Sequence, residues 1–424
     1  MLGGDMIVSQ QNCLVHNQQN ALMFKVKNDR TQISFFWAIV ILLNAAVSTD
    51  PFYMGYAFQC GIIQAFVICL FVIVLTMTSF HLYIRSWVYE KRYSYKAIWA
   101  SIYGQKTSFI PSMFILIAYF SIAVICTNEA YLDLIEIFES VSSVRPAILD
   151  NKWIMVYLTT FAISLPFVFQ KQASGFRYAA GLGKFGLVFS CGVLVYRAVI
   201  KIMSEGIDPS HKLTFWNNKW DLALDTFGLF NTVLFIHPMI QLVAQDLENP
   251  TESRTIKLTW SSTIVTAFIC LITGYSSYFT HYDDNQGDNV LYYLPKKELL
   301  TILAKIGGFI SNMILCAFYV WMLAREFCQL LHVGSENSIQ TRAFSGILVL
   351  CFNAGMNFIN PVVVEVFRLM GNLCFIMLAF VLPSLFYLKS YWFMSKSWSI
   401  TAIILLVVAI PCSTTLFIYQ VQSL

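Results

Sequence analysis

Three ionisable side chains interrupt long apolar runs of this sequence. Asp50 lies in Leu43-Asn44-Ala45-Ala46-Val47-Ser48-Thr49-Asp50-Pro51. His237 lies in Phe230-Asn231-Thr232-Val233-Leu234-Phe235-Ile236-His237-Pro238. Lys184 lies in Gly181-Leu182-Gly183-Lys184-Phe185-Gly186. A charge in the middle of an apolar span costs roughly 3 kcal/mol on insertion scales, so such groups are kept for work on ions or polar substrates. A carboxylate or an imidazole can take up a proton, and an ammonium can replace a bound cation. No nucleophile–base set, P-loop or metal-ligand spacing accompanies them. Neither an enzyme, a metal site nor a cofactor is expected.

The elements that carry these groups are expected to be broken helices. Asn44 and Asn231 are each followed at the seventh position by a proline, Pro51 or Pro238. Proline supplies no N–H and clashes with the preceding turn. Ser48, Thr49 and Asp50 compete with the backbone for hydrogen bonds. Broken backbone at membrane depth survives only when it is buried in protein or lines a watery cavity. Two such breaks in corresponding positions mark the substrate site of a repeat-built transporter. Plainer roles exist. Asp50 can cap the second half-helix, Lys184 can snorkel towards an interface, and Asn44 and Asn231 can satisfy freed backbone groups.

The chain has 424 residues, 58% hydrophobic and 12% charged, against about 25% charged in soluble domains. Apolar runs near the ~20 residues that cross a bilayer recur along it. This patterning predicts an all-α integral membrane protein of eleven helices. A tail over residues 1–32 precedes a transport domain over 33–420. Repeats are expected at about 34–199 and 222–388, with an extra helix at about 398–420. An odd number of spans between the two breaks inverts the second repeat, giving a LeuT-type 5+5 plan. Lys and Arg are denser in loops on the side of the N-terminal tail, which places that tail in the cytosol. The tail has no apolar core and is not a signal peptide. Most cysteines lie inside apolar runs, where they act as small hydrophobes. Charge gives no reason to expect nucleic acid.

Three later segments carry a family resemblance. Phe235-Ile236-His237-Pro238 is followed by Gln245-Asp246-Leu247-Glu248-Asn249-Pro250. Gly274-Tyr275-Ser276-Ser277-Tyr278-Phe279 precedes Asp288-Asn289-Val290-Leu291. Val366-Phe367-Arg368-Leu369-Met370-Gly371 precedes Phe380-Val381-Leu382-Pro383-Ser384-Leu385-Phe386-Tyr387-Leu388-Lys389. In order and spacing they resemble the amino acid/auxin permease family of the amino acid–polyamine–organocation superfamily, which includes sodium-coupled neutral, vesicular and proton-coupled carriers. The resemblance implies secondary transport of amino acids, with substrate held at the first and sixth helices. The first helix keeps the family's Asn at Asn44 and hydroxyl at Thr49 but loses its glycines. Residues 314–318 lack the hydroxyl that sodium-dependent relatives place late in the eighth span. In some sodium-independent superfamily members a fifth-span lysine occupies the sodium position, and Lys184 is the matching residue here.

The expected function is therefore amino acid transport by alternating access, sodium-independent and proton-coupled or facilitative. The alternative is a transporter-derived membrane subunit or nutrient sensor that moves nothing. Expected substrate contacts are Ser48, Thr49, Asp50, Phe235, Ile236 and His237, and expected coupling groups are Asp50, Lys184 and His237. Pro51 and Pro238, with Asn44 and Asn231, shape the breaks. Glu129 and Asp133 read as solvated groups at the end of the third span, and Glu365 with Arg368 as a local ion pair. Expected partners are an amino acid, protons and the lipid bilayer of a plasma or an endolysosomal or vacuolar membrane.

Overall fold

The computed structural model describes residues 32–47, 50–142, 147–206, 213–281, 289–331, 338–356, 358, 361–392 and 395–422. Ser48, Thr49 and the side chains of Glu365 and Arg368 lie outside the described set. The named elements of the described residues are helical. α1 is Phe35–Ala46, and the helical segment Asp50–Cys60 follows it at an angle of 48°. Then come α2 (Ile62–Glu90), α3 (Tyr95–Tyr103), α4 (Phe109–Val141), α5 (Lys152–Val168) and α6 (Arg177–Glu205). The second half holds α7 (Trp220–Val233), α8 (His237–Asp246), α9 (Glu252–His281), α10 (Leu299–Leu331) and α11 (Ile339–Met356). It ends with α12 (Pro361–Ile376), α13 (Leu382–Tyr391) and α14 (Lys396–Gln422).

By length and composition, eight of the described helices qualify as membrane spans, or nine if the bent pair at residues 35–60 is one span. α5 falls short because its apolar helix has 17 residues, below the usual ~20. The eight or nine qualifying spans do not confirm the expected count of eleven.

α10 forms the centre, packed by α4, α5 and α6. Small residues allow the closest of these approaches, as in membrane interfaces generally. A Cβ built on Gly307 of α10 would stand 2.6 Å from the Gly186 carbonyl of α6. Ser190 Oγ secures the crossing by donating to Gly186 O at 2.8 Å and Ala304 O at 2.6 Å.

Prolines explain the irregular backbone. Pro383 cannot donate to the carbonyl four residues earlier, that of Ala379. A π-turn over Met377–Val381 absorbs the defect between α12 and α13. The loosened carbonyls find side chains: Ser79 Oγ donates to Ala379 O, and Tyr95 OH donates to Leu378 O at 2.7 Å.

Candidate substrate and coupling site

The first break follows the same rule. Pro51 leaves the carbonyl of Val47, four residues earlier, without a helical donor. A buried carbonyl left bare costs about 1–3 kcal/mol. Lys184 Nζ from α6 donates to Val47 O, and its second contact is Ser311 Oγ of α10 at 3.3 Å. The Tyr319 hydroxyl of α10 donates to Ala45 O at 2.8 Å. Asn44 is fully buried and neither amide atom has a partner among the described residues; side chains of α6 and α10 take the carbonyls of Val47 and Ala45.

Lys184 is 7% exposed, so its stem does not snorkel to an interface. Glycines on both sides let α6 come close enough. A Cβ on Gly183 would stand 3.4 Å from Asn44 Oδ1 and 3.5 Å from the Ser311 backbone. Asp50 opens the 3-10 turn Asp50–Tyr53 immediately beyond the break. Its carboxylate is the strongest charge acting on the Lys184 ammonium. One α1 carbonyl, one α10 hydroxyl and one α6 ammonium therefore meet at the break, with a carboxylate nearby. The hydroxyl comes from Ser311, about one turn before the 314–318 stretch where the family pattern places it.

The second break is lined by apolar residues. Leu234, Phe235 and Ile236 separate α7 from α8 and are buried. Ile236 O accepts from Met239 N at 3.1 Å and Ile240 N at 3.3 Å, so Ile236 caps α8. Phe235 packs on Phe375 with ring centroids 4.6 Å apart. His237 is fully buried among Phe80, Phe235 and Phe380, the closest ring centroid 4.0 Å away. Neither of its ring nitrogens has a hydrogen-bond partner among the described residues. α8 packs against α1, which joins the two breaks, but Lys184 and His237 face different surroundings.

The family assignment is decided by a profile of proteins described as "Transmembrane amino acid transporter protein", which matches residues 31–424. The chain belongs to this transmembrane amino acid transporter family. Among relatives, this family member is 23% identical over 245 residues to a Mus musculus protein named "Putative sodium-coupled neutral amino acid transporter 11". That match covers 56% of this chain and 51% of the relative. The Homo sapiens protein of the same name is 23% identical over 259 residues, covering 60% of this chain and 61% of the relative. The matched stretch therefore spans little more than half of those proteins.

Two solved transporters share the fold of the family member. A substrate-bound, outward-open Na+-coupled sialic acid symporter aligns over 90% of this chain and 86% of its own, with a TM-score of 0.56 and 12% identity. MhsT in complex with L-phenylalanine aligns over 91% of this chain and 100% of its own, with a TM-score of 0.55 and 11% identity. The LeuT-type fold expected from the two broken helices is thus the fold observed.

α4 of this family member corrects one sequence expectation. Asp133 is not solvated but 4% exposed. The Tyr292 hydroxyl donates to its Oδ1 at 2.9 Å. One turn away, Glu129 accepts from the Tyr53 hydroxyl of the Asp50–Cys60 segment. Sequence reasoning missed this because neither tyrosine is near α4 in the chain. The usable signal was the spacing of Glu129, Asp133 and Glu136, which puts three carboxyls on one helix face.

Proposed function

We propose that this chain carries an amino acid across a membrane by alternating access, with the Lys184 ammonium standing where a coupling cation would otherwise bind. The observation that supports this most is the contact set of Lys184. A carbonyl freed by the first break and a hydroxyl of α10 are oxygen ligands of the kind sodium selects, and the ammonium already uses both. Transport is then sodium-independent, although the relatives' names include sodium coupling. Asp50 lies where a substrate's ammonium can meet it, and the N-terminus of α8 favours the substrate's carboxylate. His237 packs the aromatic wall beside that terminus.

Two inverted repeats at 34–199 and 222–388 would rock against each other around these breaks. The loop bias in Lys and Arg puts the N-terminal side in the cytosol, so the turn at Val290–Tyr293 faces outward. The test is uptake of a panel of labelled amino acids into proteoliposomes under an inward proton gradient, without sodium. Gradient-driven uptake that is reduced in Asp50→Asn is expected. No uptake of any amino acid by folded protein would contradict the proposal and favour a non-transporting subunit or sensor.

A further inference from the structure

Glu129, Asp133, Glu136 and Ser140 share one face of α4. The residues at its outer end have a cation. Lys305 of α10, 2% exposed, donates to Glu136 Oε2 at 2.9 Å and Ser140 Oγ at 3.0 Å. Asp133, one turn deeper, has none among the described residues. Its donors are neutral and both fall on Oδ1: the Tyr292 hydroxyl at 2.9 Å and Asn289 Nδ2 at 3.5 Å. Oδ2 is buried and has no hydrogen-bond partner among the described residues. The other groups acting on this carboxyl are Glu129 and Glu136 on its own helix and the Asn312 amide from α10. Tyr53, with Asp50 behind it, faces Glu129 from the Asp50–Cys60 segment.

An ionised carboxylate accepts on both oxygens, whereas a carboxylic acid accepts on one and carries a donor on the other. The one-sided pattern at Asp133 leaves Oδ2 free to carry a proton. A buried carboxylate with no cation and a second carboxyl one turn away is costly, and a proton removes the cost. Both donors to Asp133 come from the 289–293 segment, which also packs on the Asp50–Tyr53 turn. The Tyr53–Glu129 link belongs to the same closure.

We propose that Asp133 is a proton-binding site of the outer gate, occupied on Oδ2 when the 289–293 segment and the Asp50–Cys60 segment close over α4. When the two segments lift, water reaches Asp133 and the proton leaves. Each outer closure then takes up one proton from the outer medium. The inference rests on the orientation and alternating access proposed above.

Infrared spectra of the purified full-length chain across a pH titration test it without any transport. A protonated carboxylic acid has a distinct carbonyl band. That band is expected to be lost in Asp133→Asn and retained in Glu129→Gln. Tyr292→Phe removes the hydrogen bond on Oδ1 and is expected to shift the band to higher frequency. Unchanged spectra in Asp133→Asn overturn the proposal, as does a band that sodium abolishes, which would assign the site to a metal cation. If Asp133→Asn fails to fold, an unshifted band in Tyr292→Phe overturns it. A chain that moves no amino acid can still pass or fail this test.

Discussion

Lys184→Ala is expected to lower amino acid uptake by more than about tenfold. Two hydrogen bonds to a charged donor are lost, and such bonds carry about 1.5–3 kcal/mol each, where about 1.4 kcal/mol is a factor of ten. The substitution also leaves Val47 O bare at the break that Pro51 creates, and Ser311 Oγ without its ammonium. The charge interaction between Asp50 and the Lys184 ammonium would also be lost. Lys184→Arg is expected to restore little, because a planar fork cannot replace a point ammonium in a space set by Gly183 and Gly186. Proteoliposome uptake alongside thermal unfolding separates a functional loss from a folding loss. Full uptake by Lys184→Ala would remove Lys184 from the site.

Gly307→Leu is the second large effect and acts on the fold. The first added carbon would stand 2.6 Å from Gly186 O and 2.7 Å from Ser190 Oγ. Overpacking a well-filled core costs about 1–3 kcal/mol, sometimes more. Here the obstacle is the backbone of α6, which cannot rotate aside as a side chain can. Separation of α6 from α10 would also pull Lys184 from Ser311. Thermal unfolding in detergent should show a clear fall in Tm and a poor yield. Gly192→Ala on α6 is the control, since nothing lies within 4 Å of its added carbon, and it should leave Tm nearly unchanged. Equal Tm values for the two variants would contradict the packing described.

The break at Asp50-Pro51 was legible because proline chemistry is local. Its partner carbonyl follows from the same rule, since the residue four before Pro51 is Val47. Lys184 stood out as an ammonium in an apolar run flanked by glycines. Ser311 did not, because a serine inside an apolar helix usually bonds its own backbone, and only the α6–α10 crossing aims it at Lys184. The place of His237 before Pro238 was legible, but its surroundings were not, because tertiary packing brings phenylalanines to it from α2 and the π-turn. Asp133 was misread because burial by a distant turn, Val290–Tyr293, leaves no mark in the local pattern of α4.

The most direct measurement is uptake of the best-transported amino acid with sodium fully replaced by choline, at a fixed proton gradient. Sodium-coupled transport needs an unoccupied cation position, and the proposal assigns that position to the Lys184 ammonium, which donates to Val47 O and Ser311 Oγ. Uptake unchanged by the replacement is the expected result. Uptake that collapses without sodium in the wild-type chain would contradict the assignment of Lys184.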